Sequence, residues 1–162
     1  MDHLWTPWRY PYIKEATSGK QPDCIFCDAA ARKDDANTLI VYRGARTFVV
    51  LNRFPYTSAH SMIVPYAHVA ELGACDPEAL AEMMKLAQRV ESIYRKDYSP
   101  DGMNLGMNLG RAAGAGVAGH IHLHVLPRWF GDANFMSVTG ETRVHPEELK
   151  TSYERLRKAF AS

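Results

Sequence analysis

The chain has 162 residues, enough for one domain with a sizeable core. Hydrophobic residues at 46% and charged residues at 23% fit an ordinary globular protein, and a formal net charge of +1 excludes a surface that holds nucleic acid or membrane by bulk charge. No apolar run approaches the ~20 residues of a membrane span, the first residues lack a charged-then-apolar leader pattern, and three cysteines form no even disulfide set, so cytoplasmic residence is the default expectation.

Residues 1–23 are rich in Trp, Tyr and Pro without clean periodicity. They read as an extended arm whose aromatics, Trp5 and Trp8 among them, pack on the domain or on a partner subunit. The expected core spans 24–130, and 131–162 forms a tail with a final helix, all in one domain. Cys24-Ile25-Phe26-Cys27 leads into a short Ala-rich helix near 25–32. Leu39–Tyr42 and Thr47–Leu51, split by Gly44, read as a hairpin, and Asn52–Ala59 as a polar loop before a short strand at His60–Pro65. Asp76-Pro77 is a helix start, with Asp as N-cap and Pro at the first helical position. Leu80, Met83, Met84, Ala87, Val90 and Tyr94 follow at helical spacing, so this long helix should cover a sheet face. Ser99-Pro100-Asp101-Gly102 is turn chemistry, Met103–Met107 a strand, Asn108–Gly119 a Gly/Ala loop, and 144–160 a basic last helix carrying Lys150, Arg155, Arg157 and Lys158 on a solvated face. About five strands joined mostly by short turns and backed by one long helix predict an α+β domain with an antiparallel sheet.

The segment His120-Ile121-His122-Leu123-His124-Val125 alternates histidine with aliphatic residues. In a strand, residues i, i+2 and i+4 share a face. The pattern therefore sends Ile121, Leu123 and Val125 to a core and lines up the three imidazoles at steps of about 7 Å. Such a row suits a metal site or covalent catalysis, in which one imidazole attacks phosphorus and its neighbours orient it and stabilise charge. The preceding loop favours the second. Gly114, Gly116 and Gly119 permit close backbone approach, with N–H groups available to phosphate oxygens, and Arg128 follows as a phosphate-binding candidate.

Cys24-x-x-Cys27 can cap a helix, form a redox pair, or supply half of a zinc site; no thioredoxin-like βαβ pattern surrounds it. Cys75 reads as a plain, partly buried thiol. His60 reads as structural or surface, His145 as surface, and His3 has no assignable role. Trp129 either stacks on a base or packs in the core or a dimer contact. Ile40 and Phe48 read as core before base pocket.

The motif H-φ-H-φ-H-φ-φ from His120 to Leu126 resembles the signature of the histidine-triad family of nucleotide hydrolases and transferases. Cys24-x-x-Cys27, Val50-Leu51-Asn52, the segment His60-Ser61-Met62-Ile63-Val64-Pro65-Tyr66-Ala67-His68, Asn108-x-Gly110 and Leu126-Pro127-Arg128 match in order, so the likeness covers roughly residues 24–130. Leu4-Trp5-Thr6-Pro7-Trp8-Arg9 and the stretch from Arg128 to Met136 are similar to a bacterial branch containing diadenosine tetraphosphate phosphorylases.

The resemblance implies that His122 attacks the α-phosphorus of a nucleotide, forming a nucleotidyl-His122 intermediate that phosphate or water resolves. It implies that His124 contacts the α-phosphate and stabilises developing charge, and that Asn52 meets ribose hydroxyls where relatives usually carry Asp. Asn108 would contact phosphate or orient the site, with Gly114, Gly116 and Val117 at the phosphates. Relatives often carry Gly-Gln-Ser where this chain reads Ala115-Gly116-Val117, leaving backbone N–H groups alone there. Zinc-bearing relatives add His68 and His120 to the cysteine pair, which would make a closed, structural Cys₂His₂ zinc site of Cys24, Cys27, His68 and His120. A homodimer with sheets joined across the two-fold axis is also implied. The expected activity is cleavage of diadenosine polyphosphates. A hydrolase or phosphoramidase using water, a slow nucleotide-binding module, and a plain zinc-binding protein are the rivals.

Overall fold

The computed structural model describes residues 23–132 and 147–162. Almost all of the expected aromatic arm, with His3, Trp5 and Trp8, and the tail segment with His145 lie outside the described residues.

The Ala-rich segment forms α1 (Ile25–Ala31), and a single turn, α2 (Asp35–Thr38), follows, its N-cap Asp34 accepting from the Asn37 N–H. Arg43 ties both to the sheet: its guanidinium donates to the carbonyls of Ala30 and Arg32 and pairs with Asp35. The expected hairpin is β1 (Ile40–Arg43) and β2 (Thr47–Leu51), with a register shift between Ile40 and Tyr42. Gly44 is required at its turn by close approach: a Cβ there would lie 2.6 Å from Glu82 Oε1 and 2.9 Å from the Thr47 carbonyl. β3 (Ser61–Pro65), β4 (Gly102–Gly106) and β5 (Leu123–Arg128) complete the sheet in the order β1-β2-β3-β5-β4, antiparallel throughout.

The long helix α3 (Pro77–Asp97) starts as its sequence dictates, Asp76 accepting from the Glu78 N–H with Pro77 at the first position. Its buried stripe is Met83, Leu86, Ala87, Val90, Ile93 and Tyr94. Met84 departs from expectation: one position off that stripe, it faces solvent. α3 and the C-terminal helix α4 (Leu149–Ala161) cover one sheet face with Val41, Val49, Leu51, Ile63, Leu123 and Val125. The other face carries Ile40, Phe48, Val50, Met62 and Val64 against Cys24 and Phe26, so Ile40 and Phe48 are core. The basic residues of α4 are not simply a solvated face. Arg157 donates to the Val41 carbonyl, and Arg155 pairs with Glu147 and lies over the Tyr98 ring.

The histidine strand is shorter than the alternation predicts. Pairing begins at Leu123, and His120 and His122 precede it. Other segments take the backbone here: the His120 N–H donates to the Val117 carbonyl in the preceding loop, and the Ile121 N–H to that of Val69 after β3. The alternation of faces survives. Ile121 packs against Cys75 and against Ala79 of α3, and the histidines turn toward α1.

Candidate active site and metal donor cluster

His120, His122 and His124 are all buried, on the sheet face that α1 covers. Phe26 seats two of them, its ring centroid 5.0 Å from that of His122 and 5.5 Å from that of His120. The His122 and His124 rings meet edge to face at 4.8 Å. His124 stands opposite Met62 on β3 and Gly106 on β4, so two neighbouring strands hold it.

Hydrogen-bond partners assign the proton on each ring. His122 Nδ1–H donates to the His120 carbonyl at 2.9 Å, since a carbonyl can only accept. This leaves His122 Nε2 as a lone pair, the form a nucleophile needs. His120 Nε2–H likewise donates to the Pro65 carbonyl at 2.9 Å, which leaves Nδ1 free to ligate. His124 Nδ1 lies 2.8 Å from Nε2 of His60. His60 Nδ1 accepts from the Tyr56 N–H at 3.1 Å and faces the Asn52 amide Nδ2 at 3.2 Å. Hence the His60 proton sits on Nε2 and is donated to His124 Nδ1, and His124 carries its own proton on Nε2. A nucleophilic nitrogen thus stands beside a ring that presents an N–H.

Burial pulls the His122 imidazole below its ordinary range, against the opposing pull of the His120 carbonyl. Burial and the neighbouring His122 bring His124 down to about 4. Both imidazoles are therefore neutral at neutral pH.

His120 also belongs to a second cluster. Its Nδ1 lies 3.3 Å from Cys24 Sγ and 3.6 Å from Cys27 Sγ, and Cys27 Sγ lies 3.4 Å from His68 Nδ1. The four donor atoms all fall within 4.8 Å of one another. Zinc bonds of ~2.3 Å to sulfur and ~2.05 Å to nitrogen give tetrahedral S···N edges of about 3.5 Å, so the donor set fits zinc with its ligands already gathered. Without a cation, burial and the adjacent Cys24 thiol push the Cys27 thiol up. A concave surface lined by Asp23, Cys24, Cys27, Asp28 and His68 opens on this cluster.

The other expected residues divide. Val117 packs on the Cys24–Phe26 cluster, and Gly114 takes φ +87° in the loop that returns to His120. Gly116 and Asn108 belong to the same loop; Asn108 lies two residues past Gly106, the partner of His124. Asn52 is half-buried, and its amide is engaged with His60 and with the Phe54 N–H. Trp129 has a partner outside the triad. It lies five residues beyond His124, about 17 Å along an extended chain, with its indole N–H donated to the Tyr98 carbonyl. Arg128 engages its guanidinium with Asp132 and with Asn104 Oδ1.

Two contributors were not foreseen. His60 is fully buried and bonded to His124, which removes the surface reading. Tyr56 lays its ring 4.6 Å from His60 and 5.9 Å from His124. The sequence signal for both lies in the segment before β3, and it becomes informative only once β3 is known to lie beside β5.

Residues 33–131 match the HIT domain family. The chain is 36% identical over 166 residues to a Mycobacterium tuberculosis protein named AP-4-A phosphorylase, covering 99% of this chain and 85% of that protein. A zinc-bound histidine triad family protein from Mycobacterium smegmatis has a similar structure, with a TM-score of 0.70 at 33% identity over 86% of this chain and 94% of that one. A histidine triad nucleotide-binding protein from Sulfolobus tokodaii superposes with a TM-score of 0.65 at 25% identity, covering 85% and 92%. With the triad at 120–124, the antiparallel five-stranded sheet and these matches, the chain belongs to the HIT family.

Proposed function

We propose that this protein is a nucleotide phosphorylase that cleaves diadenosine polyphosphates by nucleotidyl transfer through His122. The observation that carries the reading is the pair of assigned tautomers: His122 Nε2 bears a lone pair, and beside it His124 Nε2 bears a proton. His122 Nε2 bonds to an α-phosphorus while the bond from that phosphorus to the bridging oxygen breaks, and ATP leaves when the substrate is diadenosine tetraphosphate. The His124 N–H stabilises charge on the phosphoryl oxygens. Inorganic phosphate then attacks the adenylyl-His122 phosphorus, the P–N bond breaks, and ADP forms. Backbone N–H groups around Gly114, Gly116 and Val117, with Asn108, are proposed to hold the phosphates, and Trp129 to pack within the protomer. The near full-length likeness to an AP-4-A phosphorylase supports phosphate over water as acceptor.

Cys24, Cys27, His68 and His120 are proposed to hold a structural zinc, a reading supported by the gathered donors and by the zinc-bound relative. Bound zinc would cross-link α1, the turn after β3 and the segment leading into β5. A homodimer through β4 is proposed because, among the described residues, that edge strand has a neighbour on one side only and exposes Leu105. Among the described residues no helix is long and apolar enough to cross a membrane, and a reducing cytoplasm suits three free cysteines.

Turnover of diadenosine tetraphosphate with and without inorganic phosphate tests the activity. ADP plus ATP formed only with phosphate is the expected result. AMP plus ATP formed without phosphate would make water the acceptor, and no turnover in either condition would overturn the substrate assignment.

A further inference from the structure

The loop between β2 and β3 closes tightly on itself, the Asn52 N–H donating to the His60 carbonyl at 2.8 Å. Within it the orientation of the Asn52 side chain is fixed. The Phe54 N–H donates to Asn52 Oδ1 at 2.9 Å, so the amide nitrogen is the atom that faces His60 Nδ1. We infer that Asn52 is a positioning residue whose amide, donating to His60 Nδ1, sets the direction of the hydrogen bonds through His60 and His124 and so decides which form of His124 meets the substrate.

Two donors converge on His60 Nδ1, the Asn52 amide and the Tyr56 N–H, and neither group can accept at that position. A neutral imidazole has one N–H, which therefore belongs on Nε2. It points at His124 Nδ1, 2.8 Å away, and pushes the His124 proton to the opposite nitrogen. An acceptor at position 52 would reverse each step. A carboxylate oxygen facing Nδ1 would draw the His60 proton there. His60 Nε2 would then accept from His124 Nδ1–H, and His124 would present a lone pair to an anionic phosphate. The amide distinguishes these two states at full burial of His60, where no water can substitute for the missing donor.

This role differs from ribose binding, the role implied by resemblance. A ribose contact acts only with substrate present and weakens KM. The positioning role is visible in the free protein and acts on kcat. The catalytic consequence rests on the proposed part of His124 at the α-phosphate; the proton placement does not.

The test is 15N spectroscopy of the ring nitrogens in the substrate-free, zinc-loaded full-length protein, beside steady-state kinetics on diadenosine tetraphosphate. The wild type is expected to show His60 and His124 protonated on Nε2. Asn52→Asp retains an oxygen for the Phe54 N–H and is expected to move the His124 proton to Nδ1, with kcat lower by about 10- to 100-fold and KM little changed. Asn52→Ala leaves only the Tyr56 donor on His60 Nδ1 and is expected to populate both His124 tautomers, with a loss in kcat smaller than that of Asn52→Asp. A His124 tautomer that does not respond to Asn52→Asp, or a rise in KM alone, overturns the inference. A tautomer shift in a protein whose wild type does not cleave this substrate supports the inference and overturns only the proposed activity.

Discussion

His122 Nδ1 lies 2.9 Å from the carbonyl oxygen of His120, so the residue that completes the metal donor set also fixes the tautomer of the proposed nucleophile. One strand entry thereby serves two sites. The side chain of His120 turns toward Cys24 and Cys27, and its main chain orients His122.

His122→Asn is expected to lower turnover on the order of 10³-fold or more while zinc content, read by metal analysis, stays at the wild-type level. Loss of zinc in this variant would instead make the triad a metal site.

Cys27→Ser should remove a donor that lies 3.4 Å from His68 and 3.6 Å from His120. Lower zinc occupancy and a lower Tm are expected, with kcat reduced about 10- to 100-fold through the loosened His120 carbonyl. Full activity in a zinc-free variant would show that the two sites are uncoupled.

Burial lowers His122 and His124, the latter to about 4. The reactive form of His122 is neutral, so the acid limb of the rate profile should lie below the ordinary histidine value of ~6.5. Stability follows the same shift. An unfolded chain takes up protons on these rings as pH falls through about 6.5, while the folded chain resists until its lower values are reached. Stability is therefore full above that range and is lost as pH drops from about 6.5 toward 4. Urea midpoints at pH 7.5, 6 and 5 should decrease in that order.

Glu82 of α3 accepts from the Ala45 N–H at 2.8 Å, the Arg46 N–H at 2.7 Å and the Thr47 hydroxyl at 3.1 Å. These bonds outweigh partial burial and hold its carboxyl below the usual range. Glu82→Ala should cost ~1–3 kcal/mol of stability in denaturant titration with kcat little changed, because its bonds go to Ala45, Arg46 and Thr47 and none reaches His122 or His124.

Leu105 on β4 is 47% exposed, and Leu109 just beyond it is 43% exposed. Leu105→Asp should convert a dimer at micromolar concentration to a monomer by light scattering. A wild-type monomer at that concentration would remove the dimer from the account.

The face assignment of 120–125 was legible because the period-2 alternation needs no knowledge of neighbours. The extent of the strand was not, since the Val117 and Val69 carbonyls compete for the backbone of His120 and Ile121. Met84 shows the limit of helical spacing, because a residue beside the stripe matches the period almost as well as one within it. Arg128 had its carboxylate in view, with Asp132 four residues on. His60 was illegible as a partner of His124: which strand lies beside β5 is a property of the sheet order, and no local pattern carries it.

Covalent capture on His122 is read out by mixing the protein with diadenosine tetraphosphate in the absence of phosphate, quenching in alkali because a P–N bond is acid-labile, and mapping adducts by mass spectrometry. One adenylyl group on His122 is the predicted result, discharged to ADP when phosphate is added. Cleavage with no adduct, or an adduct on any other residue, would rule out His122 as the nucleophile.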